Sequence, residues 1–202
     1  RIRAGHPWVF SNEIDVAKSP VKGLEPGVPV EILDYRGKSL GTGYANSASL
    51  ITARIVSRDS KHPFSASLLV HRLKVALSLR ERLYDKPFYR LAYGESDGLP
   101  GLVIDRFDNI VVVQVTTAGM DVMQQEIVTA VDKVVHPDVI YFRNDSSMRE
   151  LEGLSTDNVL AKGELPDVLS VNEAGYNFEA PLKDGQKTGW FYDQRDNRQR
   201  LP

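Results

Sequence analysis

Three short runs carry side chains able to do chemistry. The densest is Asp184-Gly185-Gln186-Lys187-Thr188-Gly189-Trp190-Phe191-Tyr192-Asp193-Gln194-Arg195. Here Lys187 and Thr188 can serve a polar ligand, Trp190, Phe191 and Tyr192 can flank a flat heterocycle, and Asp193, Gln194 and Arg195 can supply hydrogen bonds. So many aromatic and polar groups in one short loop favour ligand contact over a purely structural use. A second run, Arg90 to Arg106, places Glu95 and Asp97 in a loop fixed by Gly and Pro. Paired carboxylates can do acid–base work, yet no nucleophile or oxyanion site accompanies them. A structural loop tied by carboxylate bonds to amides and to Arg90 or Arg106 is the stronger reading. The third run, Gly5-His6-Pro7-Trp8-Val9-Phe10, joins a rigid turn to two aromatics beside Arg1 and Arg3. Exposed, these groups could stack on bases and meet phosphates; buried, Trp8 would close the end of a small barrel. Gly41-Thr42-Gly43 lacks the third glycine and the following helix of a phosphate loop, and reads as close strand packing.

The residue types that are missing narrow the chemistry. The chain has 202 residues and no Cys, which removes disulfides, thiolate-bound zinc and cysteine nucleophiles from it. His6, His62, His71 and His136 are scattered, so no His-Glu-x-x-His metal site can form. No apolar run reaches the roughly 20 residues of a membrane span, and the start shows no signal-peptide pattern. A cytoplasmic chain without metal or membrane is the expectation. At 42% hydrophobic and 26% charged residues, the composition suits one or two small globular domains. The net charge of −2 hides an asymmetry: residues 1–62 hold nine Lys/Arg against six Asp/Glu, and the remainder 16 against 21. A basic first third suggests a polyanion partner, although plain surfaces often carry as much.

Those runs need elements to position them. Val28–Asp34 alternates apolar and polar residues, Asp34-Tyr35-Arg36-Gly37-Lys38 reads as a turn, and Ser39–Ala45 and Leu50–Val56 read as strands. Residues 1–62 are predicted to form a compact β-barrel that ends near Ser60-Lys61-His62-Pro63. From Ser65, the residues Leu69, Leu73, Ala76, Leu77 and Leu83 recur at helical spacing, in a helix that should stop before Pro87. Strands at Phe88–Ala92, Leu102–Asp105 and Ile110–Thr116, a helix over about 120–134, and a strand at Val139–Phe142 follow as a second, α+β domain. Residues 143–166 read as loop with short extended pieces. Val168–Val171 and Tyr176–Ala180 bracket Asn172-Glu173-Ala174-Gly175 as a hairpin. Asp193 is placed to N-cap a final helix, but the chain stops before that helix gains an apolar face. The sequence therefore reads as a fragment that a further domain should follow.

In order and spacing, GHPWVF, GKSLGTGYANSASLITARI, YRLAYGESDGLPGLVIDRF and GQKTGWFYDQRDNR resemble the bacterial large-subunit rRNA cytosine-5 methyltransferases over essentially the whole chain. The resemblance implies a PUA RNA-binding domain at 1–62 and a central α+β domain at 63–182. Residues 183–202 would be only the entry to a Rossmann-like domain that binds S-adenosyl-L-methionine. It implies ribosomal RNA as partner, with homodimerisation left open. Cofactor contacts are expected at Lys187, Thr188, Phe191, Asp193, Gln194 and Arg195, and RNA contacts at Arg3, His6, Trp8, Lys38 and Arg54. Glu95 and Asp97 would line an inter-domain or substrate-cleft wall without a catalytic role. The family adds a Cys thiolate to C6 of cytosine to make C5 nucleophilic, and this chain has no Cys. A glycine-rich cofactor loop is also missing, and a doubly wound sheet needs on the order of 150 more residues. No catalytic residue is therefore expected within the chain, which should transfer no methyl group alone. Two alternatives stay open: a stand-alone PUA-type RNA-binding adaptor, and an RNA methyltransferase of this architecture acting on another base.

Overall fold

The computed structural model describes residues 1–182 and 188–200. Strands β1 (Trp8–Val9), β2 (Val28–Leu33), β3 (Ser39–Ala45) and β4 (Ala53–Ser57) form an antiparallel sheet in the order β1-β4-β3-β2. Along β2, half-buried and exposed residues alternate, as the period-two pattern requires. Gly43 lets β3 pass close to β4, because a Cβ there would lie 1.8 Å from the Arg54 carbonyl oxygen. The expected barrel is an open sheet, with β1 and β2 at its edges. Two residues of β1 are too few to bridge to β2, and the irregular segment between them covers the face instead. Ile14 and Leu24 of that segment pack on a small core of Val9, Ala45 and Ala53.

Ser65 starts α1 (Ala66–Leu83) by accepting the Leu68 N–H, and Leu69, Leu73 and Ala76 make its buried stripe. Strands β5 (Phe88–Tyr93), β6 (Leu102–Phe107), β7 (Ile110–Val115), β8 (Val139–Phe142) and β9 (Val159–Lys162) follow in one sheet, in sequence order. β7 and β8 pair in parallel, and their crossover carries α2 (Ala118–Asp121) and α3 (Gln124–Val135). Val111, Val113, Ile140 and Phe142 share one core with α1 and α3. On the opposite face Phe107, Val112 and Tyr141 pack against a hairpin of β10 (Val168–Glu173) and β11 (Tyr176–Pro181). Cover on both faces explains why β7 reads as a continuous apolar run. The architecture is α+β, as expected.

Three local expectations are corrected. The helix expected over about 120–134 breaks between Asp121 and Gln124, because α2 turns onto the N-terminal sheet and leaves Val122 59% exposed. Residues 143–166 hold a short extended piece, as expected, in β9, whose four residues are all exposed, but they also contain α4 (Ser147–Leu151), capped by Ser146. One helical turn and an exposed strand leave no apolar period to read. Asp193 does not cap the last helix. A 3₁₀ turn at Tyr192–Gln194 runs straight into α5 (Arg195–Gln199), with Gln194 at the cap position. The β10–β11 hairpin is as expected, with Ala174 and Gly175 at φ 54° and 85°, the left-handed pair of a type I′ turn. Among the described residues no helix is long and apolar enough to cross a membrane, and no His/Asp/Glu group could hold a metal ion.

Candidate nucleic-acid interface

Gly5, at φ 105°, closes a 3₁₀ turn at Ile2–Ala4 and directs His6-Pro7-Trp8 into β1. His6 Nδ1 accepts the Trp8 N–H at 3.2 Å and lies 3.0 Å from the Arg1 guanidinium. Arg58 donates to the His6 carbonyl at 3.1 Å. His6 and Phe10 meet the Trp8 ring edge-on at 5.5 and 6.4 Å, and Arg1 lies over Phe10 at 4.7 Å. The result is a half-buried aromatic cluster laced with two guanidiniums. Trp8 neither closes a barrel nor stands free: its indole N–H donates to Glu95 at 2.6 Å and clips β1 to the turn after β5. Asp97, in the same turn, accepts Arg80 at 2.6 and 2.7 Å and the Tyr93 N–H at 2.7 Å. That loop is structural, but its clamp is Arg80. Arg90 is bound to Asp105, and Arg106 to the Tyr89 hydroxyl and the Asp108 carbonyl.

Further along the N-terminal unit, Asp34 organises the β2–β3 turn. It accepts the Arg36 and Lys38 N–H groups at 2.9 Å each and the Arg3 guanidinium at 2.5 Å. The Lys38 N–H most of all, and then Arg3, hold its carboxyl below the ordinary value against desolvation. Arg3 and Lys38 are exposed at this tip.

Arg54 is different. It is 7% exposed, and its guanidinium meets Glu152 at 3.0 Å. Glu152 also accepts from Asn46 Nδ2 at 2.8 Å and from the Ala118 N–H at 3.3 Å. Beside this group Tyr44, 1% exposed, donates to the Pro100 carbonyl at 2.7 Å and lies 2.9 Å from the Thr117 hydroxyl. Burial pushes the Tyr44 hydroxyl pKa far up. Gly119 of α2 lies directly under that ring, where a Cβ would come within 1.9 Å of it. Arg72 of α1 bridges the Val56 and Gly98 carbonyls across the same seam. The expected phosphate contact at Arg54 is thus corrected: a buried, paired guanidinium ties β4 to the end of α4 and is withdrawn from the surface.

The terminal segment docks on the far face of the second sheet. Thr188 is fully buried and donates to Asp105. Trp190 packs on Phe178 at 5.1 Å and Tyr192 on Phe107 at 5.3 Å. Glu173, 3% exposed, accepts from Arg198 at 2.6 Å and from Arg195 and Trp190 at 3.3 Å each. Burial pushes its carboxyl up, but the hydrogen bonds from Arg198 and Trp190 outweigh burial and leave it below the ordinary value. Arg195 also lies over Tyr84 at 4.3 Å and donates to the Phe88 carbonyl. Of the residues expected to hold a cofactor, Thr188 and Arg195 are therefore engaged by the fold. Phe191 is half-buried, Asp193 and Gln194 are exposed, and Lys187 lies outside the described residues. Sequence reasoning missed Glu152 and Glu173. Only Glu173 left a signal, since it shares the inward parity of Leu169 and Val171 in β10.

A family model for a PUA-like domain matches residues 1–58. Over 96% of its length the chain is 38% identical to the ribosomal RNA large subunit methyltransferase I of Cronobacter sakazakii. It is 37% identical, also over 96%, to the protein of that name from Salmonella arizonae. The resemblance to bacterial large-subunit rRNA methyltransferases is borne out. The chain spans about half the length of these curated relatives, 49% and 48%. A putative SAM-dependent methyltransferase from Streptococcus mutans superposes with a TM-score of 0.77 at 20% identity, over 98% of this chain and 50% of that one. A putative methyltransferase solved as its SAH complex gives 0.79 at 20%, over 98% and 49%. These two structures support the fold.

Proposed function

We propose that this chain is the RNA-recognition portion of an S-adenosyl-L-methionine-dependent 23S rRNA methyltransferase that forms 5-methylcytosine. The observation that carries the reading is the 37–38% identity to rRNA large-subunit methyltransferases over 96% of the chain. The PUA-like match and the basic, aromatic patch support an RNA-binding unit at 1–62 and a central unit at 63–182, with 183–202 leading into the catalytic domain.

In this reading Arg1, Arg3, Lys38 and Arg58 meet phosphates, and His6 and Trp8 contribute ring surface beside them. Arg54 and Tyr44 hold that surface at a fixed angle to the central unit. A structured RNA anchored at one end is then held at a set distance from residues 188–200, and its target base leaves the stack for the catalytic domain to which that segment leads. When bound, S-adenosyl-L-methionine supplies the methyl group. The described residues do not fit it as a cradle, because Thr188 and Arg195 face protein partners and no glycine-rich strand–loop–helix is present among them. No step at the cofactor is assigned to this chain. With no Cys it has no thiolate for cytosine C6, and alone it transfers no methyl group.

The test is titration with an rRNA hairpin at several salt concentrations. Affinity is expected to fall linearly on a log–log plot as counterions are released. Binding that ignores salt, or no binding, defeats the proposal. Methyl transfer by the 202-residue chain alone would refute the division of labour.

A further inference from the structure

We propose that Tyr35, at the tip of the β2–β3 hairpin, is a stacking platform for one unpaired nucleotide of the bound RNA. The inference rests on the RNA reading above and adds to it a residue and a mode of contact.

Tyr35 is 76% exposed and belongs to none of the three hydrophobic cores, so the fold makes no use of its ring. Large rings at turn tips are commonly mobile, but this turn is held by five hydrogen bonds. The Asp34 N–H donates to the Lys38 carbonyl at 2.8 Å, and the Gly37 N–H to the Asp34 carbonyl at 2.9 Å. The Asp34 carboxylate takes the Arg36 and Lys38 N–H groups, and Arg3 ties the turn to the chain start. Gly37, at φ 79°, allows the tight geometry. A ring presented on so fixed a backbone loses little entropy when something stacks on it.

One face of the ring is covered by the Arg36 guanidinium, 5.1 Å from its centroid, which leaves the other for a ligand. Arg36 and Lys38 flank the ring in the turn with charges that Asp34 does not pair, since it takes only their backbone N–H groups, whereas the Arg3 guanidinium is paired to that carboxylate. Behind the tip opens a cleft of about 1090 Å³ in which Arg1, Arg3 and Lys18 are each ion-paired, to Glu13, Asp34 and Asp15, so the charge offered to a phosphate is that of the tip itself. A flat apolar face beside fixed positive charge fits a nucleotide: the base takes the ring and its phosphate takes the cations. An acidic peptide would use the cations and leave the ring idle. A duplex keeps its base faces inside the stack, so an unpaired residue is the form that fits.

The experiment measures binding of a short single-stranded RNA, and of a duplex of the same sequence, by fluorescence anisotropy across a salt series. Tyr35→Ala should weaken single-strand binding about tenfold without changing the salt slope, since no charge is lost. Tyr35→Phe should bind as the parent chain does, and duplex binding should not respond to either change. Lys38→Ala should instead lower the salt slope by about one. Single-strand affinity unchanged in Tyr35→Ala, with Lys38→Ala still weakened, overturns the platform and leaves the RNA reading standing. A Tyr35→Phe loss equal to that of Tyr35→Ala assigns the effect to the hydroxyl and also overturns it. No salt-dependent binding by the parent chain defeats both readings. Thermal unfolding of the variants, unchanged at so exposed a site, excludes a folding defect.

Discussion

Two junctions hold this chain together, each around a buried glutamate, and they are built in opposite ways. At the first, Glu152 meets Arg54 with both side chains under 10% exposed, and the Tyr44 ring sits on Gly119 with no room for a Cβ. Shape and burial fix that seam. At the second, Glu173 is as deeply buried, but its partners Arg195 and Arg198 are 18% and 22% exposed and come from one short terminal segment. There cation–π contacts to Tyr84 and Trp190, at 4.3 and 4.4 Å, take the place of interlocked backbone. The first junction resists salt because water and ions do not reach it. The second is screened from its exposed side. Under the proposed function, this difference would keep the RNA-binding face rigid and leave the edge that leads to the catalytic domain loosely held.

The comparison can be broken most sharply at Glu152. Glu152→Ala leaves Arg54 charged, buried and unpaired, and should cost about 3–5 kcal/mol in urea unfolding. A loss below about 1 kcal/mol would mean that water already reaches the seam. Next, Gly119→Ala should cost about 1–3 kcal/mol, because the new Cβ meets the Tyr44 ring rather than the end of a flexible chain. Glu173→Gln should cost about 1–2 kcal/mol locally. It should speed trypsin cleavage after Arg195 and Arg198 while the main unfolding midpoint stays in place. The same glutamate gives a pH signature. Its carboxyl is held below the ordinary value of 4.5, so its stabilisation is fully present above that pH. It is lost as the pH falls through the lower folded value, and hydrogen exchange in 188–200 should accelerate there. Lys38→Ala, at neither junction, should change stability by less than about 0.5 kcal/mol, and anchors the series at zero.

Much of the fold was legible because its elements carry strong local signals. The alternation in β2, the leucine spacing of α1 and the Ala174-Gly175 turn each name their structure without help from distant residues. What failed depended on partners far along the chain. Arg54 looks like a surface cation until Glu152 is placed beside it, and no local pattern announces that pairing. The break between α2 and α3 follows from Tyr44 needing Gly119, a contact between two units that sequence periodicity treats separately. At the candidate site, the run from Gly5 to Phe10 stands out by its residue types, whereas Lys38 is pointed to only by the family resemblance. Tyr35 was read only as part of a turn, since exposure cannot be read from a single aromatic among polar neighbours.

The seam between Tyr44 and Gly119 also sets an order of events during synthesis. The N-terminal sheet is complete once Ser57 has emerged from the ribosome, but its seat requires α2 and Glu152. Until then Arg54 stays hydrated and Tyr44 has no floor. The N-terminal sheet is therefore made first and aligned last, and only a finished central sheet turns it from a tethered flap into a fixed lever.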